Sequence, residues 1–302
     1  MSYQAILEQI HAEIRPQLPM GQVADYIPQL GQVDPCHFGM AVCDADGGIA
    51  CVGDAGTRFS IQSISKVFTL TLAMPLEGER LWRRVGREPS GTAFNSLVQL
   101  EHEHGMPRNP FINAGALVVT DVVAEHMGDA KAAVRDLARR LSGTDDIDYD
   151  LSVARSEAGR GYRNVALANF LKSFGNLHSE PESVLDAYFH HCALAMSCEE
   201  LARAFLYLVR AGRVGNVPVI STPQAKSINS LMLTCGTYDA VGDFAFRIGL
   251  PGKSGVGGGI VAVMPGKFSV CVWSPGLDAR GNSLAGTLAL ERFAQLTGMS
   301  IF

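Results

Sequence analysis

Short apolar runs bounded by turn residues occur only near the two ends of this chain, and the stretch between them reads as helix. Residues 38–44 and 49–53 flank Asp44-Ala-Asp-Gly-Gly, a hairpin signal. Near the other end, 244–248, 260–264 and 268–273 read as consecutive strands separated by Gly/Pro turns. From Leu76 to about Ala211 the apolar spacing is helical, with no clear strand pair. The clearest segments there are 113–119, 130–141, 162–174, 181–195 and 201–209. Pro181 suits a first helical position, and Ser197-Cys-Glu-Glu200 suits a capping box. Residues 3–17, with Ile6, Ile10 and Ile14 on one face, and 282–297, stopped by Gly298, read as the first and last helices. One further helix follows Thr222-Pro223. Strands need partners, so the two ends must meet in space. The expected fold class is therefore α/β (α+β), with one antiparallel sheet built from both chain ends, flanked by helices. An all-helical subdomain is inserted into it. Residues 1–302 are read as a single domain, with 1–75 plus 220–302 forming the sheet part and 76–219 the helical part.

Composition bounds the class of protein. With 47% hydrophobic and 18% charged residues, the chain can bury a substantial core. The net charge of −5 and the lack of a long basic run argue against nucleic acid or an anionic membrane as partners. Glu8, His11, Glu13 and Arg15 interrupt the N-terminal stretch, so no secretory signal is expected, and no window is long enough to span a bilayer. The cysteines, at 36, 43, 51, 192, 198, 235 and 271, are odd in number and form no Cys-x-x-Cys pair. They read as reduced thiols of a cytoplasmic protein.

The chemistry is concentrated in Phe59-Ser-Ile-Gln-Ser63-Ile-Ser-Lys66-Val-Phe68. Ser63 and Lys66 are three apart on a helix expected to run into the apolar stretch 67–74, with Pro75 and Gly78 closing it. Lysine buried at such a root loses its proton more readily and can take one from serine. That activates a hydroxyl without histidine. In the first turn of the helix, Ser63 would also face unpaired N–H groups that favour an oxyanion. One Ser-x-x-Lys is expected by chance about once in a chain this long. The second element is Leu250-Pro-Gly-Lys253-Ser254-Gly255, late in the chain before an apolar strand. Together these two elements form the frame of the penicillin-recognising serine enzymes, in which the late strand borders the cleft.

Other patterns are decoys. A Walker A loop would need glycine at the position of Arg247, and a helix should follow Gly252-Lys253-Ser254, where a strand signal stands instead. His102, His104, His190 and His191 match no metal-ligand spacing. By residue type alone, Glu157 is a solvated helix-end carboxylate, and Tyr188 and Tyr238 are core aromatics. Gly159 and Gly161 argue for a break between Glu157 and Asn164, letting the two meet across a loop.

Taken in order, several segments resemble the serine-dependent glutaminases, in their compact bacterial form. They are Asp25-Tyr26-Ile-Pro-Gln-Leu, the Ser63–Lys66 segment, Glu88-Pro-Ser-Gly and Asn109-Pro-Phe-Ile-Asn113-Ala-Gly-Ala, followed by Ser156-Glu157 with Arg163-Asn164 and by Tyr188-Phe. Cys235-Gly-Thr-Tyr238-Asp and Leu250-Pro-Gly-Lys-Ser-Gly-Val256-Gly-Gly-Gly complete the series. The resemblance implies a β-lactamase/transpeptidase-like fold and hydrolysis of L-glutamine to L-glutamate and ammonia with no cofactor, and the lack of a visible ligand set adds the expectation of no metal. The same resemblance implies Ser63 as nucleophile, Lys66 as its base and Tyr238 as a proton relay. Asn113, Glu157, Asn164 and Tyr188 would hold the amino-acid end, with Tyr26 at the cleft mouth. The backbone at Val256 and Ser63 would form the oxyanion hole, and Tyr162 would carry no chemistry. The family's habit further implies a homo-oligomer, a dimer or tetramer. A non-catalytic glutamine sensor and a cytoplasmic esterase or β-lactamase-like hydrolase are the alternatives on the same fold.

Overall fold

The computed structural model describes residues 1–91 and 94–302. Among the described residues the largest sheet has five strands, in the order Ile49–Gly53, Gly39–Asp44, Phe268–Trp273, Gly259–Met264, Gly252–Ser254. All of its neighbours are antiparallel. The central pairing sets Ala41 opposite Cys271 and Val42 opposite Val270, so the first strand of the chain lies beside its last. This is the expected meeting of the two ends.

Successive side chains on a strand face opposite ways, and here both faces are covered. Met40, Val42, Ile260, Val270 and Val272 pack with Ile6, Leu7, Ile10, Leu290 and Phe293 from the Tyr3–Ile14 and Leu284–Thr297 helices. Ala41, Cys43, Val261, Val263 and Cys271 join a second cluster with Val67, Phe68 and Leu70 of the Ser65–Glu77 helix and with Val119, Val122 and Val123 of the Asn113–Met127 helix. Double coverage explains why these strands are apolar at nearly every position, although the sheet is antiparallel. The other side of the Asn113–Met127 helix (Ala114, Leu117, Val118) packs with Leu167, Leu171, Val184 and Tyr188 in a third, all-helical cluster. That helix is the shared wall between sheet and helical insert.

The structure corrects several local expectations. Residues 244–248 are not a strand but lie at the end of the Val241–Arg247 helix. Phe244 and Ile248 are buried while Phe246 is 91% exposed, and residues four apart share a helix face as readily as alternate residues share a strand face. The Pro181–Cys192 helix stops short of Ala195, because Leu194–Met196 becomes the middle strand of a small sheet between Phe59–Ser60 and Asp148–Tyr149. The middle of the chain therefore does contain strand pairs. The span 201–209 is divided at Phe205 into Cys198–Ala204 and Leu206–Val209, and the expected capping box at Ser197 is present. Pro75 lies within the last turn of the Ser65–Glu77 helix, which ends at Gly78 with φ +55°. Among the described residues no helix is long and apolar enough to cross a membrane.

Candidate active site

Ser63 stands not in the α-helix itself but in the 3-10 turn Gln62–Ile64 that leads into Ser65–Glu77. The residue before it, Gln62, has φ +49°, a conformation that costs a non-glycine residue about 1–3 kcal/mol and clusters at functional sites. The turn is pressed from outside by the edge strand. A Cβ added to Gly255 would lie 2.5 Å from Ile61 O and 3.3 Å from the Ser63 nitrogen. Glycine after Lys253-Ser254 is thus required by a backbone-to-backbone approach, which brings Val256 to the same cavity as Ser63.

That cavity, of about 520 Å³, is lined by Tyr26, Ser63, Asn113, Glu157, Asn164, Tyr188 and Val256 among others. Residues from most of the chain's length converge there. Lys66 and Tyr238 stand just behind its wall. The Lys66 amine is buried and donates to Phe111 O at 3.0 Å and to Asn113 Oδ1 at 2.8 Å. It lies 5.8 Å from the centre of the Tyr188 ring. Burial brings its pKa down from 10.5 to about 8. A neutral amine has two N–H bonds, which these two acceptors satisfy, leaving its lone pair to take a proton. Asn113 passes the network on, its Nδ2 donating to Asn164 Oδ1 at 2.9 Å. Tyr238 is buried, has φ +56°, and hydrogen-bonds Ser63. Its phenol is pushed up to about 12 by burial, so it is a proton donor at neutral pH.

Glu157 is 5% exposed, which overturns its reading as a solvated helix-end charge. It lies in the last turn of the Leu151–Arg160 helix, and the chain restarts as Tyr162–Ser173 after Gly161, the break expected between Glu157 and Asn164. The insertion folds that helix end inward, where Tyr26 Oη donates to Glu157 Oε1 at 2.6 Å. Burial raises the Glu157 pKa despite hydrogen bonds from Tyr26 and Gln62. Tyr26 is 41% exposed as a residue, yet its hydroxyl points at this carboxylate. Tyr162 lines the cavity rim and is 78% exposed.

Three side chains near the site were not singled out from sequence. Gln62 bridges Glu157 and Tyr26; its one signal in the sequence is adjacency to Ser63. Cys192 lines the cavity beside Tyr188. Lys253 stands in the sequence only as part of a motif, and it is fully buried. Among the described residues, the atoms of Asp121, Glu125 and His178 come close enough to hold a metal, which the sequence spacing did not suggest. Arg84 already bonds both carboxylates, at 2.5 Å and 3.0 Å, and Asp121 also accepts from the backbone of His178 and Ser179. This cluster has the donor set of a charge-paired structural node.

Comparison with known proteins identifies the family. The glutaminase family model matches residues 21–302. A glutaminase of Ralstonia nicotianae is 60% identical over the whole of both chains. One of Rhizobium meliloti is 58% identical over 99% of this chain and 96% of its own. Among solved structures, a probable glutaminase from Bacillus subtilis complexed with 6-diazo-5-oxo-L-norleucine superposes with a TM-score of 0.89 at 33% identity, covering 100% of this chain and 98% of its own. A strained serine turn, a dry lysine behind it and a full-length match to one family lead to one conclusion: the chain belongs to the glutaminase family.

Proposed function

We propose that this enzyme hydrolyses L-glutamine to L-glutamate and ammonia through a Ser63 acyl-enzyme, with no cofactor and within one domain whose cleft lies between sheet and helical insert. The observation that carries the reading is the desolvated Lys66, three residues after Ser63, behind a cavity that also holds the buried Glu157. Neutral Lys66 removes the Ser63 proton as the hydroxyl oxygen attacks the side-chain carboxamide. The tetrahedral oxyanion is held by the backbone N–H groups of Ser63 and Val256. Tyr238 relays a proton to the departing nitrogen, so ammonia leaves rather than amide ion, and Lys66 returns a proton to the phenol. Water then adds to the ester carbonyl, and the collapse regenerates the Ser63 hydroxyl and releases glutamate. Glu157 pairs with the substrate's α-ammonium, while Asn113, Asn164 and Tyr188 hold its α-carboxylate end and Tyr26 closes the mouth.

What supports the substrate assignment, beyond the relatives' names, is the charge pattern. A buried anion stands in the same cavity as the nucleophile, as selection of a small zwitterion requires. The molecule in the Bacillus subtilis complex is an amino acid carrying a diazoketone near where glutamine carries its carboxamide. We further place the protein in the cytoplasm as a homo-oligomer. All seven cysteines being free thiols supports the compartment, and the family's habit supports the assembly. The test is ammonia release from L-glutamine, L-asparagine and D-glutamine by the wild type and by Ser63→Ala. L-Glutamine should be preferred, and the variant should lose at least about three orders of magnitude in kcat. Near-wild-type turnover by Ser63→Ala would end the acyl-enzyme reading, and inertness of the wild type would favour a sensor.

A further inference from the structure

Trp273 is buried at the end of the Phe268–Trp273 strand, and the mechanism above does not use it. Its partners on the neighbouring strands are both glycine, Gly39 and Gly259, so no cross-strand side chain crowds the ring. The indole stacks with two other rings, Phe59 at 5.0 Å and 3° and His37 at 5.1 Å and 23°. Phe59 opens the short segment that leads into the Ser63 turn. The indole Nε1–H donates to Gly257 O at 3.0 Å, one residue beyond Val256. One side chain therefore touches both backbone segments that carry the oxyanion donors.

The bonds around Val256 form a series of linked peptide units. Gly257 O and Gly258 N are the two ends of one planar peptide, and Gly258 N donates to Gly255 O at 2.9 Å. Gly255 O and Val256 N are the two ends of the next. The indole N–H thus heads a chain that runs through two peptides and ends on the Val256 N–H. Among the described residues that last N–H has no acceptor, so it is available to a substrate oxygen. A hydrogen bond accepted by a peptide oxygen polarises the N–H of the same peptide, which strengthens each bond of such a chain by about 10–30%. The indole also fixes direction. A Cβ at Gly257 would lie 2.5 Å from Ser60 O, so the turn must use a residue with no side chain to restrain its carbonyl, and Trp273 supplies the restraint.

We propose that Trp273 is a positioning residue for the hydrolysis, its indole N–H orienting and polarising the Val256 N–H through the Gly257–Gly258 and Gly255–Val256 peptides. The proposal rests on the oxyanion role of Val256. Negative charge develops on the carboxamide oxygen only as Ser63 adds to it, so a better-aimed donor stabilises the transition state and not bound glutamine. A core tryptophan whose N–H simply finds an acceptor would make the same bond and leave turnover untouched.

The experiment measures kcat and KM for L-glutamine with Trp273→Phe, with the thermal midpoint as a check on folding. Phenylalanine keeps a ring for Phe59 and His37 and lacks the N–H. Removing an oxyanion donor outright costs about 10²–10³ in kcat. Leaving it in place but unanchored should cost about 10- to 100-fold, with KM within about threefold. In a Ser63→Ala background, Kd for L-glutamine should be unchanged by Trp273→Phe. A folded Trp273→Phe with kcat within about threefold of wild type, or a loss of kcat matched by an equal weakening of Kd, would overturn the proposal. Should Trp273→Phe not fold, 3-benzothienylalanine in place of Trp273 keeps the size of the ring system and puts sulfur where the N–H was. The same fall in kcat is expected there, and wild-type kcat in that protein would sink the idea. Val256→Pro, which deletes the N–H itself, separates the two readings. Full activity of Val256→Pro would remove the oxyanion role of Val256, whereas an inactive but folded Val256→Pro beside a fully active Trp273→Phe would refute the role of Trp273 alone.

Discussion

Glu157→Gln is the most informative single change, because two readings of Glu157 give opposite outcomes. The carboxylate is 5% exposed and accepts from Tyr26 at 2.6 Å and from Gln62, with its pKa raised by burial. A raised carboxyl pKa means that the folded protein binds a proton more tightly than the unfolded chain. Stability of the empty enzyme then falls as pH rises from about the unfolded value through the folded one. Glutamine at this position removes that penalty and keeps one carbonyl oxygen for Tyr26, so the empty variant should melt at or above the wild-type midpoint at pH 7. Substrate affinity should move the other way. Removing one partner of a buried charge pair costs about 3–5 kcal/mol, and the retained oxygen puts this case at the lower end, about two decades in Kd. In a Ser63→Ala background, which holds substrate without turning it over, L-glutamine at about 100 times the unmutated Kd should add about 2.7 kcal/mol to stability. With Gln at 157 the same concentration is only about one Kd and should add about 0.4 kcal/mol. The active enzyme gives an independent check: KM for L-glutamine should rise about a hundredfold, and preference over N-acetyl-glutamine, which lacks the ammonium, should largely vanish. A change within about 0.5 kcal/mol with unchanged discrimination would refute the assignment, since that is what a solvated surface charge yields.

The remaining expectations follow from other parts of the structure. With Lys66 near 8, about one molecule in ten holds it neutral at pH 7, so kcat/KM should climb tenfold per unit and level off above about 8. A profile flat from pH 6.5 to 9 would contradict a lysine base. Arg84→Ala leaves the Asp121 carboxylate, 0% exposed, without its cation, which should cost about 3–5 kcal/mol and lower the melting midpoint by on the order of 10 °C. An unchanged midpoint would show that the pair is not a structural node. Dialysis against a strong chelator should leave glutamine hydrolysis intact, whereas loss restored by zinc or magnesium would reassign the Asp121, Glu125 and His178 group as a metal site. Sedimentation at micromolar concentration should reveal a species larger than the 32.3 kDa chain, and a strictly monomeric result would exclude the proposed oligomer.

Local pattern was enough for what depends on neighbours in sequence. Turn chemistry at Asp44-Ala-Asp-Gly-Gly and the apolar runs at both ends implied the antiparallel sheet, because strand signals extend over a few residues and unpaired strands must find each other. The Ser63 to Lys66 spacing, the Ser197 capping box and the break at Gly161 were legible for the same reason. Where two local patterns coincide, as for Phe244 and Ile248 four apart with Phe246 between them, only packing separates helix from strand. Burial of individual polar groups was decided entirely by the tertiary structure. Nothing in the residues around Glu157 distinguishes a solvated carboxylate from one turned inward onto Tyr26, more than a hundred positions away. Likewise Lys66 is an ordinary lysine until Phe111 and Asn113 enclose it, and Lys253 is a strand residue until the turn before Tyr238 closes over it. Desolvation depends on which distant segments exclude water from a group, so protonation and strain around the cavity come from the packing and not from local pattern.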